Sequence, residues 1–523
     1  MKNPVMNNTS SKITAYLGRP LSSFYAVVGW LVATGVFFAF TQYLGGPVEG
    51  DAAQSVYSTW AIQHGYLACT YPPAATHFHF PIIALPYAFV APFWPLLTGG
   101  IAALLRIGRV APFPHLGDCT NATVSMYHWM ANNTAALDTV RLGYVAWLFL
   151  LVGVVAYLRS TGRGKTWWEP FALLVLAVTP SVWMPLLQYF HPQDIVALGL
   201  SLIGLSFVRR DRWLWAGLFL GVAFTSQQFA VLLIVMVMAL APRSRYLKLF
   251  GGLALGVAVI DLPIVIATSG RAFRTVILGS SRNSALSTGG TVLWEAHFQG
   301  VLRFFAARVL PVLVAGAIAW WMKRRIGDRV FDPVPLTSLV ALAILMRLVF
   351  EINLFGYYFM ATAVVLILLD VVRGHIRGLT VAWLLLTTAA FNPVPFGFVS
   401  NDHNPLNADI YRYLSLAIIV VVAYVIAHSA VHRRVRWYWI ATLAMLTPIG
   451  WQMAMSLSHG TEFVPNWAWQ VILVSAAILL AVDPLRGYSA LKDNLGAEPL
   501  GVPLSLVRDS GGSLAEGSTS GPE

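Results

Sequence analysis

Glu49-Gly50-Asp51 sets two carboxylates just past the first hydrophobic run of the chain. A carboxylate held beside a cavity can act as general base on a sugar hydroxyl or help hold a divalent cation. The residues that follow, Gln54 and then YSTWAIQHGYLACTYPP with Tyr57 and His64, supply aromatic rings that suit a sugar ring. A second group is His191-Pro192-Gln193-Asp194, in a tight turn between two hydrophobic runs. Pro192 suits the start of a helix, and Asp194 suits the positive end of its dipole. His191 and Gln193 are not needed for either purpose. A third group is Arg271, Arg274 and Arg282, in the stretch 270–303 with Arg303. The guanidinium fork suits phosphate and keeps its charge on burial; the plainer reading is a solvated loop that meets lipid headgroups. Glu351 and Tyr357 lie further along, and Asp261 falls in the middle of a hydrophobic run with no partner in view.

These groups have to be held by a very apolar chain. Of its 523 residues 57% are hydrophobic and only 11% charged, with mean hydropathy +0.68. A soluble domain usually carries about 25% charged residues. A spanning helix needs about 20 apolar residues, and the sequence offers runs near 23–43, 140–158, 171–190, 194–208, 251–269, 304–322, 335–350, 356–372, 379–392, 411–428, 437–456 and 466–482. The run 214–240 is long, and Ser226-Gln227-Gln228 divides it into two short helices. Prolines and the Gly99-Gly100 pair interrupt 81–105. The expected fold is an all-α, polytopic transmembrane protein of about 12–14 spans. Its large first extracytoplasmic loop, 44–138, would contain short interfacial or re-entrant helices.

Loop charge selects the orientation. With 81–105 not crossing and 214–240 crossing twice, the N-terminus, RSTGRGK (159–165), RRDR (209–212), PRSRYLK (242–248), KRRIGDR (323–329), RGHIR (373–377), HRRVR (432–436) and the C-terminal tail share one side. Those segments hold 24 of the 34 Lys plus Arg, including every lysine, so that side is expected to be cytoplasmic. Both termini would then be cytoplasmic, and the dispersed net charge of +12 argues against a nucleic-acid partner. Cys69 and Cys119 fall in the same external loop, where they could form a disulfide or stay as two thiols. A membrane domain is expected over 1–484, and the Gly/Ser-rich tail 485–523 reads as disordered.

Together these residues resemble the GT-C superfamily of integral membrane glycosyltransferases, which take a sugar from a polyprenyl-phosphate donor. That superfamily carries an acidic Asp-x-Asp-type motif in its first extracytoplasmic loop, and Glu49-Gly50-Asp51 matches the Glu-x-Asp form. The run HPQDIVALGLSLIGLSFVRRDRWLWAGLFLGVAFTSQQFAVLLI is similar to the helix, basic turn and Gly-rich helix of its bacterial members. The resemblance covers roughly 20–370 and is nearest to polyprenyl-phosphate-mannose-dependent mannosyltransferases. It implies inverting transfer of a hexose or pentose, with Asp51 as catalytic base. The polyprenyl phosphate would be met by Arg271, Arg274 or Arg282, with His191 and Gln193 nearby. Glu49, Gln54, Tyr57, His64, Glu351 and Tyr357 would contact sugar or a lipid or glycan acceptor. Some members use a divalent cation (Mg or Mn) and others none, and no metal ligand is assigned. Many members have a lysine after the Gly-rich helix, where this chain has Ser226-Gln227-Gln228. The rival readings are a transporter or flippase and a polysaccharide polymerase or ligase.

Overall fold

The structure is a computed structural model that describes residues 15–43, 142–187, 191–267, 305–350 and 356–374, with single residues between 93 and 101 and at 380 and 384. Among the described residues the regular elements are helices, without strands, apart from one isolated bridge between Pro20 and Thr166. The main helices are α1 (Ser23–Tyr43), α2 (Val145–Ser160), α3 (Trp168–Val178), α4 (Pro180–Leu187), α5 (Pro192–Arg209), α6 (Trp213–Ser226), α7 (Ala230–Leu240), α8 (Tyr246–Ala267), α9 (Leu310–Ile326), α10 (Pro333–Phe350) and α11 (Phe359–Arg373). Three stretches, Pro192–Arg209, Arg243–Pro263 and Pro333–Phe350, are long and apolar enough to cross a membrane. The hydrophobic runs from 411 to 482 and the tail 485–523 lie outside the described residues. So do the loop 270–303 and all but a few single residues of 44–138 and 379–392.

For the expected runs that fall on described residues the boundaries hold within about six residues, with two informative breaks. The run 171–190 is not one helix. α3 stops at Thr179, whose ψ of 116° is extended, because the Pro180 ring disfavours helical backbone at the residue before it. The division of 214–240 is found where Ser226-Gln227-Gln228 placed it. Thr225 and Ser226 donate back to the Val222 carbonyl at 2.8 and 3.1 Å, and Gln227 turns extended, with φ −156° and ψ 139°. Such side chains offer the backbone an alternative to further helix.

Small residues decide which helices lie closest. α6 and α8 run along each other with Gly217 and Gly221 facing Gly252 and Gly256. A Cβ on Gly217 would overlap the Leu249 carbonyl oxygen, one on Gly252 that of Leu214, and one on Gly221 would sit 2.5 Å from that of Leu253. α2 and α5 meet in the same way through Gly153 and Gly199. Two small residues four apart let helix backbones approach within van der Waals contact, and this is the main source of helix association where no hydrophobic drive remains. Larger side chains fill the wider gaps. Trp147 stacks on Phe37 with centroids 4.3 Å apart and donates to Thr34 at 3.1 Å, which fixes α1 on α2.

Basic turns collect at one end of this bundle. Leu21 N–H donates to the Lys165 carbonyl at 2.7 Å, and Arg163 donates to that of Val372 at 3.1 Å. Arg209 ties the Ser160 and Phe331 carbonyls at 2.9 and 2.5 Å. Arg245 pairs with Asp211, and Lys323 donates to the Leu240 and Ala241 carbonyls. Glu169, fully buried, is held by Arg159 at 3.1 and 3.2 Å, Trp30 at 2.9 Å and the Lys165 N–H at 3.1 Å. The described parts of the N-terminal segment and of the 159–165, 209–212, 242–248, 323–329 and 373–377 segments thus share one end.

Candidate functional site

At the opposite end the turn before α5 forms a buried polar group. His191 stands just outside the helix, with φ −110° and ψ 58°, and its N–H donates to the Pro185 carbonyl of α4 at 2.5 Å. Pro192 takes the first helical position, where its missing N–H costs nothing. One turn on, Asp194 points inward and is 2% exposed. From there α5 runs 15 residues to Arg209, about 22 Å at 1.5 Å per residue, so the two ends of the bundle are well separated.

Asp194 meets a cation from a distant part of the chain. Its Oδ1 lies 3.5 Å from Nη1 of Arg347, which the last turn of α10 carries and which is itself buried. The guanidinium carbon sits 4.0 Å from the Tyr358 ring centroid and 5.5 Å from that of Phe229. Phe229 belongs to the break between α6 and α7. From the same break Gln227 reaches the Asp194 carboxyl, while its Oε1 accepts from the Gln228 N–H at 2.9 Å. Asp194 Oδ2 lies 3.8 Å from His191 Nδ1 and closes no hydrogen bond among the described residues.

The imidazole is held from two sides. Gln193 Nε2 lies 2.9 Å from His191 Nδ1; with the amide in that orientation the nitrogen donates, so Nδ1 accepts and the ring proton resides on Nε2. One face of the ring stacks on Tyr357, centroids 3.9 Å apart and planes 11° from parallel. Tyr357 in turn meets Tyr358 edge-on at 4.5 Å. Five segments therefore converge: α4, the start of α5, the α6–α7 break, the end of α10 and the turn before α11.

Of the residues chosen from sequence, His191, Gln193 and Tyr357 are brought together here. Asp51, Glu49, Gln54, Tyr57, His64, Glu351, Arg271, Arg274, Arg282, Cys69 and Cys119 lie outside the described residues. Sequence reasoning credits Asp194 to the helix dipole, whereas the fold uses it as the counter-charge of Arg347. It gives Arg347, Tyr358 and Gln227 no part in the site. A signal for Arg347 exists: it is a basic residue near the end of an apolar run, away from the basic turns that gather at the other end of the bundle. Among the described residues Asp194, Asp261, Arg347 and Asp370 are all buried within helices. Among the described residues there is no cluster of three metal-ligating side chains. The chain matches no protein-family model and no curated protein.

Proposed function

We propose that the protein is a multi-pass cell-membrane glycosyltransferase of about 12–14 spans, with the basic end of the bundle and both termini cytoplasmic. It moves a sugar from a polyprenyl-phosphate donor to a lipid or glycan acceptor on the extracytoplasmic side. Asp51 deprotonates the acceptor hydroxyl, which attacks the anomeric carbon. The polyprenyl phosphate leaves with its bonding electrons, and its charge is met by Arg271, Arg274 or Arg282. The leaving group is already anionic, so no strong acid is required.

The observation that carries this reading is the convergence of His191, Asp194, Arg347, Tyr357 and Tyr358 at the end opposite the basic turns. Ionisable groups inside apolar helices are expensive and mark functional sites by default. A one-sided group of carboxylate, guanidinium and aromatic rings suits a ligand with hydroxyls and a sugar ring. The Glu49-Gly50-Asp51 resemblance supplies the reaction. A second reading, transport of a lipid-linked substrate, is favoured by the Asp194–Arg347 pair itself, because buried pairs also mark substrate paths.

Membranes containing wild-type protein or Asp51→Asn, supplied with labelled polyprenyl-phosphate sugar, separate these readings. Labelled glycosidic product from wild type and its loss in the variant are expected. Normal transfer by the variant would sink the general-base role, and movement of label across the membrane without any product would favour transport.

A further inference from the structure

The HPQD turn has a property that a phosphate site would not have. Asp194 and Arg347 are both buried, at 2% and 8% exposure, and together carry no net charge. Asp194 Oδ2 is buried and accepts no hydrogen bond among the described residues. A buried carboxylate oxygen without a donor loses its hydration with nothing in return, so a group able to donate a hydrogen is expected to complete it.

The chemistry of that group is narrowed by its neighbours. The phosphodiester of a polyprenyl-phosphate sugar has no hydrogen to give, and its charge would be repelled by Asp194. A metal ion or ammonium would have to sit beside the Arg347 guanidinium, whose Nη1 is 3.5 Å from the other carboxylate oxygen. An apolar group would leave Oδ2 as it is. A hydroxyl can donate to Oδ2 and brings no charge to a neutral pair. The rings of His191, Tyr357 and Tyr358 wall the group, with His191 stacked on Tyr357 and Arg347 over the Tyr358 ring.

We propose that Asp194, positioned by Arg347, is a sugar-reading residue whose Oδ2 accepts a hydrogen bond from a hydroxyl of a neutral sugar ring. This rests on the glycosyltransferase reading for the presence of a sugar, and it deepens that reading. It moves the HPQD turn from the phosphate of the donor to its sugar. The arginines of 270–303 are then left as the phosphate contacts.

The test uses the full-length protein in lipid nanodiscs, probed with methyl mannopyranoside, methyl glucopyranoside and methyl arabinofuranoside. Decaprenyl phosphate serves as the anionic probe. Saturation-transfer NMR is expected to detect at least one glycoside on wild type. Binding should weaken at least about tenfold in D194A, the loss of one hydrogen bond to a charged group. D194A/R347M removes both charges together, keeps the fold if the single variant does not, and should show the same loss. Decaprenyl phosphate should bind D194A at least as well as wild type. Glycoside binding unchanged in a folded Asp194 variant would overturn the proposal. Failure of every glycoside to bind wild type at concentrations up to solubility would do the same, leaving Oδ2 to a resident water. So would loss of decaprenyl phosphate binding in D194A. Asp194-dependent glycoside binding without any sugar transfer would leave this subsite standing and remove only the transferase reading.

Discussion

The Asp194–Arg347 pair allows a prediction whose size follows from its geometry. At 3.5 Å and an effective dielectric of about 20, two unit charges attract by about 5 kcal/mol. Asp194→Ala leaves the Arg347 guanidinium buried without that counter-charge, over the Tyr358 ring at 4.0 Å, and relaxation and water entry recover part of the lost attraction. A destabilisation of about 3 kcal/mol is expected, at the low end of the range for breaking a buried pair. Arg347→Met leaves the carboxylate with Gln227 and His191 and is expected to cost about as much. The double variant Asp194→Ala/Arg347→Met removes both charges and should recover most of the stability, because apolar replacement of a whole buried pair is often neutral. The assay is unfolding of the purified protein in mixed micelles by increasing dodecyl sulfate mole fraction, followed by tryptophan fluorescence. A coupling energy of about 2 kcal/mol or more is expected from the cycle. Additivity within about 0.5 kcal/mol would refute the reasoning, since the two charges would then not depend on one another.

Adjacent glycines in α8 should respond in opposite directions. Gly252→Ala drives a Cβ into the Leu214 carbonyl and should cost about 1–3 kcal/mol, whereas Gly251 faces open space and Gly251→Ala should stabilise by up to about 1 kcal/mol; the same unfolding titration reads both. At the basic end, Glu169→Ala takes the acceptor from Trp30 and from the Lys165 N–H. A loss of about 3 kcal/mol is expected, limited because the Arg159 side chain is 33% exposed and can rehydrate; Glu169→Gln should lose less, which limited proteolysis of the 161–167 turn can monitor. Tyr357→Leu removes the ring stacked on His191 and should cost about 0.5–1.5 kcal/mol beyond the buried area. Tyr357→Phe keeps the stack but gives up the hydroxyl's hydrogen bond with Tyr358, and should lose about 1 kcal/mol in the same assay.

Much of the helical layout is legible in the chain. The α5 start follows from Pro192, the α6–α7 break from Ser226-Gln227-Gln228, and the gathering of basic turns from their charge alone. Each is a local property, because helix starts, breaks and charged turns are written in a few consecutive residues. The break at Thr179-Pro180 was equally local, yet it was hidden within the apolar run 171–190, where hydropathy outweighs one proline. The site was legible only in part. His191 and Gln193 stand out because nothing local requires them, whereas a tyrosine at the start of an apolar run is a common interfacial residue, and the fold is what stacks Tyr357 on His191.

Within the described residues, what the sequence by itself determined is which runs are helical, most of the places where they stop and which ends carry the basic turns. What only the tertiary structure decided is that Arg347 of α10 meets Asp194 of α5, with Gln227 and Phe229 beside them and His191 flat on Tyr357. The physical reason is that helical periodicity fixes directions around one axis and says nothing about the neighbour. In this bundle neighbours are chosen by where backbones can approach, through Gly153 and Gly199 for α2 and α5 and through paired glycines for α6 and α8. An apolar helix with one arginine near its end looks the same in sequence whether that arginine reaches water or a buried carboxylate, and packing alone distinguishes the two.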